Sequence, residues 1–161
     1  MDLRLLYAII LTILPITELR AGLPLAIIFA RDNNISILLI FLIIVIVNIL
    51  TIFFVFYFLD KIHLHLLKIK IYNKFFSNFI KRFQRKVHKF EKRYDTIGFL
   101  ALSITVAVPL PGTGIWTGSL ISWLLGLNRK KSIIAMSIGV LIAGLLVLLG
   151  TLQILGMLGY S

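Results

Sequence analysis

Two stretches of this chain, Ile35 to Leu59 and Ile133 to Leu158, run for 25 and 26 residues without one charged side chain. At about 1.5 Å per residue, each is long enough as a helix to cross roughly 30 Å of hydrocarbon. A soluble domain has no place for two such runs, and the composition agrees: 60% of the 161 residues are hydrophobic and the mean hydropathy is +1.03. The chain reads as an all-α integral membrane protein. Asn48 and Gln153 are the amides in these runs, read as hydrogen-bond donors between helices. Gly139, Gly144, Gly150 and Gly156 would let a neighbouring helix come close. The earlier run Leu5 to Leu14 has the length of a signal-peptide core, but no small-x-small cleavage site follows, so it is expected to be retained. With no cysteine, disulfides and thiolate metal sites are excluded.

The other two apolar segments, Leu5 to Ala30 and Ile97 to Leu127, hold all four prolines: Pro15 and Pro24 in the first, Pro109 and Pro111 in the second. Proline removes a backbone donor and clashes with the preceding turn, so a helix entering LPITE or VPLPGTG is expected to stop there. Gly22 in the first segment, and Gly112, Gly114 and Gly118 in the second, are expected to ease the breaks. Limbs of roughly 8 to 13 residues would reach about half a bilayer, which suits a re-entrant hairpin entering and leaving by one face.

Charge placement argues for that hairpin. The net charge of +11 is local, with 11 of the 17 basic residues between Lys61 and Arg93. The positive-inside rule makes this stretch cytoplasmic. If Ile97 to Leu127 crossed fully, Arg129, Lys130 and Lys131 would end outside; as a re-entrant hairpin it keeps them inside. The resulting order is hairpin, span, basic linker, hairpin, span, with both termini outside. One membrane domain is expected: repeat 1 over about 3–60, a linker over about 61–95, and repeat 2 over about 96–161, related by inverted topology as in many secondary transporters. The Ile- and Lys-rich usage points to an AT-rich prokaryotic genome and hence to the cell membrane.

In the linker, Tyr72, Phe75, Phe76, Phe79, Phe83, Val87, Phe90 and Tyr94 recur at three- and four-residue steps among Lys81, Arg82, Arg85, Lys86, Lys89, Lys92 and Arg93. This predicts a basic amphipathic helix with an aromatic face. Tethered between membrane segments, it is expected to lie on the cytoplasmic leaflet against anionic lipid head groups rather than to bind nucleic acid or a calmodulin-like partner. His63, His65 and His88 have no matching Cys, Asp or Glu cluster, so no metal is expected, and no motif calls for a cofactor.

Glu18 and Arg20 are the only ionisable residues within the core of any apolar segment. Ionised groups at that depth normally face a wet cavity and have a task. One reading is a structural ion pair that pins the hairpin tip. The other has Arg20, with backbone N–H groups at the half-helix starts, hold an anionic head group while Glu18 takes and releases a proton. The opposing break would add Thr113, Thr117 and Trp116 to a substrate site near the midplane, with Trp116 equally readable as packing and Trp123 lying towards the interface. Nothing resembles a nucleophile with a positioned base, so no enzyme is read.

Pro15-Ile-Thr-Glu18-Leu-Arg20-Ala-Gly22-Leu-Pro24, followed by Pro109-Leu-Pro-Gly-Thr-Gly-Ile-Trp116-Thr-Gly118, resembles the paired signature of the small multi-drug export protein family, which is similar in turn to the wider DedA, or VTT-domain, membrane superfamily. The resemblance spans nearly the whole chain, least of all the linker. It implies two inward-facing re-entrant hairpins, each followed by a transmembrane helix, and movement of lipids such as polyprenyl phosphates, with proton-motive-force dependence and drug tolerance. Glu18 and Arg20 match the acidic and basic residues of the first motif, and Pro109, Pro111 and Gly112 match the second. Many DedA proteins carry an arginine just after the second Pro-Gly; Thr113 to Trp116 supply no such cation.

Three functions follow as expectations. The first is a transporter of an amphipathic anion, a lipid phosphate above all, acting as a flippase. The second is a proton-coupled exporter of cationic drugs with Glu18 as ligand. The third is a passive scramblase or structural scaffold in which Glu18 and Arg20 only stabilise the hairpin. A homo-oligomer is compatible with the small-residue faces.

Overall fold

The computed structural model describes residues 3–66, 91–110 and 113–159. Among them the chain is all helical, with six helices and no strand: α1 (Leu3–Ile13), α2 (Glu18–Asp32), α3 (Ile37–Leu66), α4 (Glu91–Ala107), α5 (Ile115–Leu124) and α6 (Arg129–Met157). Most of the basic amphipathic linker, His88, Pro111 and Gly112 lie outside the described residues, as do the side chains of His63 and His65.

The two charge-free runs form α3 and α6, both long and apolar enough to cross a membrane. Only 39% and 33% of their most apolar windows are buried within the chain, whereas the core helix of a soluble protein would be mostly covered. Leu38, Leu42, Ile46, Leu50 and Phe53 on α3, and Leu141, Leu145 and Leu149 on α6, point outward. A helix that is apolar all round and only partly covered suits a hydrocarbon environment.

Each proline-bearing segment is divided into two shorter helices. α1 ends at Ile13, two residues before Pro15, and α4 ends at Ala107, two residues before Pro109. Both stops obey the steric bar on helical backbone just ahead of proline. The other expected breaking residues behave differently. Gly22 and Pro24 lie inside α2, and Gly118 lies inside α5. Pro24 is tolerated because its missing N–H costs only the bond to the Arg20 carbonyl, one turn back near the helix start. Gly22 is needed for close approach: a Cβ there would stand 2.7 Å from the Ala8 carbonyl oxygen of α1 and would overlap the Thr12 hydroxyl. Gly118 serves similarly, with Met136 Sδ 3.0 Å and Val106 Cγ2 3.1 Å from its would-be Cβ.

Lipid tails are as apolar as leucine, so helices in a bilayer associate through close packing and small residues rather than expulsion of water. α1 and α2 pack most closely through Ala8 and Thr12 against Gly22. Gly22, Ala26 and Ala30 follow at four-residue steps and are all buried. α4 and α6 meet where Ser103 donates to the Ala135 carbonyl at 3.0 Å and Gly139 faces Val106. Gly144 admits the Phe41 ring of α3, its would-be Cβ 3.1 Å from Cε2. Leu23 and Ile27 of α2, Ile40 and Ile44 of α3, Ile115 of α5 and Met136 and Val140 of α6 fill the centre.

Two ion pairs fix where the elements begin and end. Arg4 reaches Asp32 at 2.7 Å, so the start of α1 lies beside the end of α2. Asp60 near the far end of α3 meets Arg129 at 2.7 Å and accepts from Trp123 Nε1 at 2.9 Å. Gly98 of α4 faces Leu127, 3.5 Å from its would-be Cβ, which brings together the outer ends of the second segment. Both broken segments therefore close at their outer ends, one at each end of α3.

Candidate functional site

The two breaks meet and supply one another's missing hydrogen bonds. The last four carbonyls of a helix have no partner within it, and in an apolar surrounding each must find one. At the end of α1, Leu14 N–H donates to the Ile10 carbonyl at 3.2 Å. Pro15 has no N–H to offer Leu11, and the Thr17 hydroxyl takes its place at 2.6 Å. Asn48 Nδ2 of α3 reaches the Thr12 carbonyl at 3.1 Å, the interhelical role expected of this amide. Trp116 Nε1 of α5 reaches the Ile13 carbonyl at 3.0 Å. Four carbonyls thus take four donors from three parts of the chain.

Glu18 and Arg20 each take hydrogen-bond partners from the opposite break. Glu18 is buried, 5% exposed, and its carboxylate lies against the start of α5, where Trp116 N–H donates to Oε1 at 3.3 Å. That is the favoured place for an anion, since free N–H groups and the helix dipole both point at it. Gly114 makes room. Its φ of 127° and ψ of −164° fall in a region open essentially to glycine, and a Cβ would stand 2.6 Å from the Glu18 carboxyl carbon. Glu18 itself has φ 46°, an unusual backbone for a residue with a side chain, and this turns it out of the start of α2.

Arg20 takes the complementary partner. Its guanidinium donates to the carbonyls of Val108 at 3.3 Å and Thr113 at 2.7 Å, to the Thr113 hydroxyl at 2.7 Å, and to the Leu110 carbonyl. Val108 directly follows the last residue of α4, at the negative end of its dipole, while Leu110 lies in the break and Thr113 just before the N-cap of α5. Thr113 Oγ1 also lies 2.7 Å and 2.8 Å from the Val108 and Leu110 carbonyls, tightening the loop that Arg20 grips. Two residues apart in sequence, the carboxylate and the guanidinium bind the opposite poles of one interrupted helix. The two charges attract each other through space, and the helix ends, each with unsatisfied backbone groups, supply directed hydrogen-bond partners for both.

Of the residues expected here, the structure brings together Glu18, Arg20, Thr113, Trp116 and Gly114. Thr117 follows half-buried in the first turn of α5. Trp116 joins the two halves three times: its indole N–H to Ile13, its backbone N–H to Glu18, and its ring edge to Phe58 at 6.2 Å between centroids. Sequence reasoning missed Phe58, Ile13 and Thr17. A proline two residues past a helix end was the available signal that Leu11 needs a nearby hydroxyl, which Thr17 supplies.

No curated protein and no solved structure matches the chain. A family model described as "Putative small multi-drug export protein" matches residues 18–146, a range that opens at Glu18, just after the first break, and takes in the second, so the chain is a membrane protein of this family.

Proposed function

We propose that this protein is a transporter that exports small amphipathic molecules, and that the grip of Glu18 and Arg20 on the opposite break is the part that opens during transport. The carrying observation is that both charges hydrogen-bond to the poles of another segment. A mutual ion pair would be fixed within one hairpin; this arrangement instead couples two segments. In this reading each broken segment is a re-entrant hairpin, the halves form inverted repeats, and the linker is cytoplasmic. Support comes from the outer ends closing at opposite ends of α3, through Arg4 with Asp32 and through Gly98 with Leu127. The two tips then meet near the midplane, where parting in either direction exposes the junction to one face.

The cargo that best fits is an amphipathic anion, such as a lipid phosphate. Arg20 is half-buried and bonded to neutral oxygens only. Phosphate or sulfonate oxygens make stronger, charge-assisted bonds and would displace the carbonyls. Releasing them loosens the exit of α4, so cargo binding and opening become one event. In liposomes with labelled polyprenyl phosphate, the protein should speed transbilayer movement under a proton gradient, and Arg20→Ala should abolish the gain. Equal slow movement by both would refute the anion reading; equal fast movement without a gradient would make the protein a passive scramblase.

A second reading is proton-coupled export of cationic drugs, favoured by the family description and by the burial of Glu18. A proton or a cation arriving at the carboxylate would release the start of α5. Drug-dependent proton flux that survives Arg20→Ala and disappears in Glu18→Gln would select it.

A further inference from the structure

Between α1 and α3 lies a groove of about 380 Å³, lined by Ile9, Ile13, Val47, Leu50, Thr51 and Phe54 and open on one side. Its size falls within the roughly 300–1,000 Å³ of small-molecule sites. The groove is apolar throughout, because the hydroxyl of Thr51 is turned away to the Val47 carbonyl at 2.8 Å.

Two connections tie it to the charged break. Ile13 lines the groove with its side chain, while its carbonyl takes Trp116 Nε1 at 3.0 Å. Phe54 lines the groove and stacks on Phe58, 6.3 Å between centroids at 20°, and Phe58 meets the Trp116 ring at 6.2 Å and 73°. Trp116 N–H in turn holds Glu18. The apolar groove thus ends at the polar junction of the two breaks.

We propose that this groove binds the apolar body of the exported amphiphile while its charged head sits at the break. The inference rests on the transporter reading and names the half of the cargo that reading left open. The depth of the groove selects the occupant. Val47 to Phe54 lie in the middle of α3, far from the level of phospholipid head groups, so the polar end of the groove would meet only the methyl-ended part of a bulk lipid chain. A transported amphiphile places its head there. The aromatic contacts give the occupant a route to the clasp: a body pressing on Phe54 displaces Phe58 and through it the Trp116 ring, which holds the Ile13 carbonyl and belongs to the residue whose backbone N–H holds Glu18.

The test uses tetraphenylphosphonium and tetraphenylborate, near-equal in size and shape and opposite in charge. Of the two tryptophans, Trp123 is removed as Trp123→Phe, leaving Trp116 as the reporter in liposomes. Both ions should change Trp116 emission saturably. Leu50→Phe, which fills the groove, should raise both half-saturation points about tenfold, whereas Glu18→Gln and Arg20→Gln should each shift chiefly one ion. Should Leu50→Phe not fold, Leu50→Ala, at a residue 60% exposed, removes lining and should weaken both ions about threefold. Half-saturation points unmoved by either groove variant would overturn the proposal. So would quenching by mid-chain brominated phospholipid that neither ion relieves, which would make the occupant bulk lipid. Emission that follows the protein-to-lipid ratio would overturn it in favour of a second copy. Groove-dependent binding of ions that are never moved would sink the transporter reading and leave the groove assigned; movement with groove-independent affinity would do the reverse.

Discussion

Gly114→Ala isolates the contact between Glu18 and the start of α5. At φ 127° and ψ −164° an alanine is strained by about 1–3 kcal/mol. Its Cβ would also lie 2.6 Å from the Glu18 carboxyl carbon and 2.7 Å from Oε1, so the carboxylate must leave its place against Trp116 N–H. Losing hydrogen bonds to a charged group costs about a further 1.5–3 kcal/mol, giving a total of about 2.5–6 kcal/mol. In a Glu18→Ala background only the backbone strain is left, so the same substitution should cost about 1–3 kcal/mol there. The coupling between the two positions is then about 1.5–3 kcal/mol, well above the few tenths seen for independent sites. Equilibrium unfolding in detergent micelles, followed by circular dichroism, measures all four corners of the cycle. Equal costs of Gly114→Ala in both backgrounds would refute the placement of the carboxylate on α5.

Gly22→Ala should lower stability by about 1–3 kcal/mol, since its Cβ meets the Ala8 carbonyl oxygen at 2.7 Å and backbone gives little. Gly150→Ala on α6, with nothing within 4 Å, should be neutral or stabilising by a few tenths up to about 1 kcal/mol, and thermal unfolding compares the two. Asn48→Leu leaves the Thr12 carbonyl without its donor and should cost about 0.6–2 kcal/mol by the same assay. Asp60→Asn removes the ion pair with Arg129 while an oxygen can still take Trp123 Nε1. With both charged side chains about half exposed, at 44% and 51%, screening holds the loss below about 1 kcal/mol, and Trp123 emission should stay nearly unchanged.

The elements were legible because bilayer physics leaves few options. Charge-free runs of fixed length and prolines at LPITE and VPLPGTG place the two long helices and both breaks, although α3 runs on past its apolar stretch to Leu66. What the prolines do depends on context that local sequence lacks. Pro15 and Pro24 read alike, yet only Pro15 has a terminated helix before it; Pro24 sits where its one missing bond is cheap. Gly22 and Gly118 read as hinges because glycine permits turns, but their use is the absence of a side chain where two helices touch, which becomes visible only once the partner is known. Glu18 and Arg20 were found by the cost of burying charge. Their partners were not, because carbonyls and amides carry no signature in sequence and the two breaks lie some ninety residues apart.

The separation between the two breaks bears on how the chain is made. The Ile13 carbonyl waits for an indole 103 residues later, and Arg20 waits for acceptors 88 to 93 residues later. At about 5–20 residues per second, synthesis needs roughly 5–20 s to supply them. During that interval the N-terminal half holds a cation and one open carbonyl, that of Ile13, in a medium that tolerates neither. A nascent chain halted before residue 110 should therefore be a target for membrane chaperones and proteases, and release from them marks the arrival of Trp116.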